Sequence, residues 1–235
     1  MLTEQDYKDG QILLIDKPLQ WTSFQVVNKL RWLIRKNFGI KKIKVGHAGT
    51  LDPLASGLLI ICTGKFTKRI QEFMGQTKEY TGTITLGATT PSYDLETEID
   101  KTFATDHISE ELIRTTTKQF IGEIEQYPPV FSALKKDGKR LYEYARQGEE
   151  VEIASRKITI STFEITRVEL PEVDFRVVCG KGTYIRSLAH DFGKALQSGG
   201  HLSVLRRTKI GEFSVDEAIS PEVFENQLHA EIETT

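Results

Sequence analysis

Between Val45 and Leu59 the chain sets Gly46, Gly49, Gly57, Pro53 and the small residues Ala48, Thr50, Ala55 and Ser56 around a single carboxylate, Asp52. A run of this composition folds as turns with close backbone approaches, because glycine tolerates positive φ and has no side chain to hold neighbours apart. A large planar ligand such as a nucleobase could therefore reach Asp52. The same residues also suit an ordinary turn, since Asp before Pro is a routine turn initiator, and local physics leaves both readings open. The run leads into Leu58–Cys62, an apolar stretch between Gly57 and Gly64 that reads as buried but does not distinguish strand from helix.

Several chemistries are absent from the pattern. Neither G-x-x-x-x-G-K-[ST] nor a G-x-G-x-x-G that opens a helix after a strand occurs, so no phosphate loop is expected. His47, His107, His190, His201 and His229 are scattered, and Cys62 and Cys179 lack metal or redox spacing, so no metal site and no disulfide are expected.

Elsewhere, Gln11–Ile15 closed by Asp16-Lys17-Pro18 reads as a buried strand. Val26, Val27, Leu30, Leu33 and Ile34 recur at helical spacing behind the caps Thr22 or Ser23 and before Gly39. Lys65–Met74 reads as helix, Tyr80–Leu86 as an alternating strand, and Gly87–His107 as a long functional loop. Ser109 opens a helix with Leu112, Ile113 and Phe120 inward. Strands are expected at Val151–Ile153, at Lys157–Leu170 with a break, and at Asp174–Cys179, followed by a helix marked by Ile185, Leu188, Ala189, Phe192 and Leu196. Strands and helices mix without regular alternation, which favours an α+β fold with a mixed, mainly antiparallel sheet flanked by helices and loops.

The 235 residues are 39% apolar and 27% charged, ordinary for a soluble globular protein. No apolar run spans a bilayer and Met1–Gly10 is polar and acidic, so no membrane association and a cytoplasmic location are expected. The net charge of -2 hides an uneven distribution. From Gly211 onward lie seven acids and no Lys or Arg, whereas Lys17, Lys29, Arg31, Arg35, Lys36, Lys41, Lys42 and Lys44 fall in a stretch, Lys17–Leu51, without Asp or Glu. That stretch can face phosphates, although a solvated helix face has the same composition.

The extended run Gly46-His47-Ala48-Gly49-Thr50-Leu51-Asp52-Pro53-Leu54-Ala55-Ser56-Gly57-Leu58-Leu59 resembles the catalytic motif of the TruB family, the bacterial tRNA pseudouridine-55 synthases. Further blocks agree in order: Leu14–Pro18 with Thr22-Ser23, Lys78-Glu79-Tyr80, Gln126–Lys135 with Gly138, Arg140, Tyr142 and Ala145-Arg146, Cys179–Ala189, and His201-Leu202 with Leu205–Thr208. Gln20 stands where the family commonly has glycine. The likeness covers roughly residues 10 to 214.

This resemblance implies a pseudouridine synthase fold and isomerisation of uridine to pseudouridine in the tRNA T loop, with the target base flipped out of its stack. It implies Asp52 as nucleophile, Arg186 as its ion-pair partner, and Tyr80 as the aromatic stacking on the target base. His47 resembles the histidine that enters the T loop. Lys17, Lys44, Lys135, Arg140 and Arg146 are implied phosphate contacts, with Tyr184 and Leu205 also facing the RNA. The partner is the T stem-loop of tRNA, and the reaction implies no cofactor, no metal and no obligate protein partner for a monomer. A catalytic domain is expected over 1–214, its first ten or so residues flexible, with 215–235 a short acidic extension in place of a complete PUA domain. Phosphate should repel that extension unless it folds back, so removing Pro221–Thr235 is expected to spare activity on an isolated T-arm hairpin. The alternatives are a non-catalytic tRNA-folding chaperone and a synthase acting on another RNA, including a guide-dependent one.

Overall fold

The computed structural model describes residues 2–132, 134–136, 138–147, 149 and 151–230, with backbone alone at 135, 136, 140, 142, 145, 146 and 230. In chain order the elements begin α1 (Glu4–Asp9), β1 (Ile12–Lys17), α2 (Ser23–Phe38), β2 (Val45–His47), β3 (Ala55–Thr63), α3 (Ile70–Gly75) and β4 (Lys78–Leu86). There follow β5 (Ala88–Thr89), β6 (Lys101–Thr102), α4 (Glu110–Thr116), β7 (Gly122–Gln126), β8 (Lys135–Lys136), β9 (Lys139–Arg140) and α5 (Leu141–Arg146). The last are β10 (Arg156–Glu169), β11 (Glu172–Cys179), α6 (Ile185–Ala195), β12 (Gly200–Ile210), β13 (Phe213–Ser214) and α7 (Pro221–Ala230). They form two compact units, one of the chain up to Tyr80 and from Arg206 onward, the other of Thr81–Leu205.

In the first unit β3 is central. It pairs antiparallel with β1 from Ile12↔Cys62 to Lys17↔Gly57, and with β2 from Val45↔Thr63 to His47↔Ile61. Leu58, Leu59, Ile60, Ile61 and Cys62 are all fully buried, which explains why this run shows no alternation: both faces of the strand are covered. Leu59 and Ile61 pack with Val26, Val27, Leu30, Leu33 and Ile34 of α2, while Leu58, Ile60 and Cys62 pack with Phe73, Ile210 and Val215. The helix α2 starts where its sequence signal lies, with Thr22 and Gln25 capping each other reciprocally, and ends at Gly39 in the left-handed conformation.

Both ends of this unit carry a helix. Residues 4–9, expected to be flexible, form α1, capped by Thr3 and Asp6, and Tyr7 on it is only 3% exposed. Within the acidic stretch after 214, α7 lays Phe224 and Leu228 into the same core cluster as α2 and pairs Glu225 with Lys29 at 2.6 Å.

In the second unit β10 pairs antiparallel with β11 and with β7, and its expected break is a continuous strand with register shifts between Ile160 and Thr162 and between Ile165 and Arg167. Phe120, Phe163, Phe175 and Phe192 meet edge to face beneath it. Val151–Ile153 forms no strand, whereas β7 and β12 do; the sequence Gly-Glu-Ile-Glu-Gln of β7 buries little and carries no alternation of apolar type to reveal it. Leu112 is 37% exposed rather than inward. The long loop 87–107 is pinned rather than open: β5 pairs with β6, and Ser92 and Thr97 bond side chain to side chain at 2.8 Å.

Candidate active site

The Asp52 segment is an irregular crossing between β2 and β3, held from three directions within the first unit. The Asp52 carbonyl accepts from the Ala55 amide at 3.0 Å, closing a turn. Ser23, in the first turn of α2, donates its hydroxyl to the Leu51 carbonyl at 3.0 Å and accepts from the Leu51 amide at 2.8 Å. The Gln20 amide donates to the Pro53 carbonyl at 2.7 Å. Backbone on both sides of Asp52 is thereby fixed, while the residue itself stays half-buried. Gln20 has φ 66, a left-handed conformation that costs a non-glycine residue roughly 1–2 kcal/mol. Strain of this kind persists where the surrounding bonds over-determine it.

A residue that sequence reasoning missed supplies the third hold. Arg207, 1% exposed, donates from Nε to the Leu58 carbonyl at 2.8 Å and from Nη2 to the Gly49 carbonyl at 3.0 Å, bridging the two ends of the segment. Its backbone lies so close to Gly57, at φ +104, that a Cβ there would meet the Arg207 carbonyl oxygen at 2.3 Å. Gly57 is thus required by close approach as well as by φ. Arg206 beside it forms a two-point ion pair with Asp16, at 3.1 and 2.7 Å. Arg207→Met is expected to lower stability by about 2–4 kcal/mol, because the buried Leu58 carbonyl and the partly buried Gly49 carbonyl lose charged donors. An unchanged urea midpoint would refute that role.

Lys17, read from the sequence as a phosphate contact, is fully buried instead. Its Nζ donates to the Pro18 carbonyl at 3.0 Å and the Trp21 carbonyl at 2.5 Å, tying off the turn that precedes α2. Burial pushes its pKa down to about 8, the Arg207 charge pushes the same way, and the Asp52 carboxylate opposes both. Asp52 therefore sits within electrostatic reach of a buried lysine. His47 lies on β2, half-buried; burial and then the Arg207 charge hold its imidazole below the usual range, against the Gly49 backbone, which raises it. Both effects favour the neutral imidazole. Lys44 is exposed, as a phosphate contact requires, and Tyr80 is 9% exposed on β4.

Arg186, Tyr184 and Leu205 belong to the second unit. Arg186 occupies the first turn of α6 and is 4% exposed; Nη1 donates to the carbonyls of Phe131 at 2.9 Å and Ser92 at 3.3 Å, and Nε lies 3.6 Å from the Asp94 carboxylate. Asp94, itself 5% exposed, is a partner that only the folded loop brings there. The start of α6 is set by Gln126, whose side chain accepts from the Tyr184 amide at 2.8 Å and donates to the Tyr184 carbonyl at 3.0 Å. The Arg156 guanidinium lies 4.8 Å over the Tyr184 ring, and Leu205 is half-buried on β12. Lys135, Arg140 and Arg146 have backbone in β8, β9 and α5, but their side chains lie outside the described residues.

Comparison with known proteins places the chain in a family. The TruB family pseudouridylate synthase (N terminal domain) matches residues 35–185, and the tRNA pseudouridylate synthase B C-terminal domain matches residues 186–234. The chain is 68% identical to tRNA pseudouridine synthase B of Flavobacterium johnsoniae, over 97% of this chain and 100% of that protein. It is 47% identical to tRNA pseudouridine synthase B of Chlorobaculum tepidum, over 94% and 92%. Among solved structures it is similar to a chain of a Cbf5-Nop10-Gar1 complex, with TM-score 0.68 and 33% identity over 92% of this chain and 53% of that one. It is also similar to a chain of an H/ACA RNP bound to a substrate RNA containing 2'-deoxyuridine, with TM-score 0.71 and 29% identity over 99% and 58%. The chain thus spans little more than half the length of those two solved chains.

Proposed function

We propose that this chain, which belongs to the TruB family of pseudouridylate synthases, converts uridine to pseudouridine in tRNA, at position 55 of the T loop. The observation that carries the reading is the Asp52 segment: backbone bonded on both sides by Ser23 and Gln20, braced by Arg207, with Asp52 itself half-buried. A reactive group held by rigid neighbours suits a reaction whose difficulty lies in positioning.

Pseudouridine formation breaks the bond from N1 to C1', turns the base and rejoins it through C5; the C5 hydrogen leaves to solvent and N1 takes up a proton. Asp52 is the nucleophile in this scheme. Its carboxylate adds to the base at C6, attacks C1', or takes the C2' proton; all three routes need it ionised and within reach of a flipped nucleotide. Tyr80 stacks on the target base, and Arg186 supplies the guanidinium charge that keeps the nucleophile ionised. His47 enters the T loop as a hydrogen-bonding and space-filling group. Lys44 meets phosphate, with Lys135, Arg140, Arg146, Tyr184 and Leu205 as further RNA contacts.

The isomerisation balances without an oxidant, reductant or transferred group, so no cofactor enters the scheme. The enzyme acts as a monomer in the cytoplasm. Among the described residues no helix is long and apolar enough to cross a membrane. The test is tritium release from tRNA labelled as [5-3H]uridine, with no guide RNA present, followed by mapping of the modified position. Release with pseudouridine in the T loop is expected; a product elsewhere, or a need for a guide RNA, overturns the substrate assignment.

A further inference from the structure

The solvent face of α2 opens with Phe24, 62% exposed in the first helical turn, and continues through Asn28 to Arg31 at the spacing of successive turns. Just ahead lies Leu19, 56% exposed. Single apolar side chains on a surface need no explanation, but these two stand at a fixed place. Gln20, next to Leu19, donates its amide to the Pro53 carbonyl, and Ser23, next to Phe24, exchanges two hydrogen bonds with Leu51. The turn that carries both side chains is therefore bonded to the backbone immediately before and after Asp52.

The same face runs on toward the strand that bears His47. Arg31 donates from Nη2 to the Val45 carbonyl at 2.8 Å and from Nη1 to the Asn28 side chain at 2.8 Å. No acid occurs anywhere between Lys17 and Leu51. An aromatic ring over half exposed, an exposed aliphatic side chain five residues before it and cations farther along the same helix suit an unpaired nucleotide: the ring face takes a base of any identity and the cations take its phosphate.

We propose that Leu19 and Phe24 form a stacking platform for an unpaired base of the substrate RNA beside the target uridine, with Arg31 supplying positive charge along the adjoining backbone. The platform rests on the reading that RNA is the substrate. It acts in binding, since neither side chain carries a group for the chemistry. Its position on the Asp52 clamp means that a base seated there registers the strand relative to the nucleophile.

The full chain carrying Phe24→Ala or Phe24→Tyr is assayed by tritium release from tRNA. Phe24→Ala is expected to raise KM about 10-fold, the lower part of the range for losing one stacked base, with kcat and melting temperature unchanged because the side chain is exposed. Phe24→Tyr keeps the wild-type KM, since a tyrosine ring stacks equally well. An unchanged KM in Phe24→Ala overturns the platform, as does an equal loss in Phe24→Tyr. Failure of the RNA-substrate reading itself is distinguishable, because wild type would then release no tritium.

Discussion

Asp52→Asn is expected to lose about 10^4-fold or more in tritium release, the scale on which a nucleophile's removal acts, while the fold stays intact. The amide is nearly isosteric with the carboxylate, and the bonds that hold the segment run through backbone atoms: Asp52 carbonyl to Ala55 amide, Pro53 carbonyl to Gln20 amide, Leu51 to Ser23. Melting temperature should therefore change little. A second readout reports the local electrostatics. Burial lowers the Lys17 pKa, the Asp52 charge opposes it and Arg207 adds to it, and the three together leave it at about 8. Without the Asp52 charge Lys17 should lose its proton at still lower pH. Turnover near the wild-type rate would remove Asp52 from the chemistry, and a Lys17 titration that did not fall would remove it from the lysine's surroundings.

Truncation after Ser220 is expected to unfold the protein or to lower its stability by more than about 5 kcal/mol, a large part of the roughly 5–15 kcal/mol available to a domain. Loss of α7 removes Phe224, 4% exposed, and Leu228, 3% exposed, from a cluster that also holds Val26, Val27, Leu30 and Ile34 of α2. Each such large-to-small core change costs about 2–5 kcal/mol, and uncovering the partners adds to it. Phe224→Ala should show a substantial part of the loss, whereas Glu225→Gln, which disrupts an ion pair with Lys29 at the surface, should move the urea midpoint little. A truncated chain with the wild-type midpoint would restore the view of this stretch as a dispensable acidic tail. That view came from charge alone: acids stood out along the sequence, while the two apolar residues that decide the packing did not.

Elements specified by their own neighbours were legible without a structure. The 3.6-residue recurrence in α2, its Thr22 cap and the glycine after it form one local signal, and the alternation of Tyr80–Leu86 forms another. The run around Asp52 was likewise visible as a place where only turns and close approaches could form, and its extended motif named a family that the comparisons bear out. What the run lacked was any account of its rigidity. Ser23, Gln20 and Arg207 supply that, and Arg207 comes from β12, a strand with no clear periodic signal.

The sequence by itself determined the regular elements with strong patterns, the carboxylate at the centre of the glycine-rich run, and the basic stretch beside it. Only the tertiary structure decided that Lys17 within that stretch is buried, that Arg207 braces the Asp52 segment, and that the acidic end packs as a core helix. The physical reason is range. Periodicity and caps are written in residues three or four positions apart, whereas Arg207 is held by the Leu58 and Gly49 carbonyls and Lys17 lies within reach of the Asp52 charge, groups that distant parts of the chain deliver. For Asp52, the sequence supplied the group and the fold supplied its fixed place.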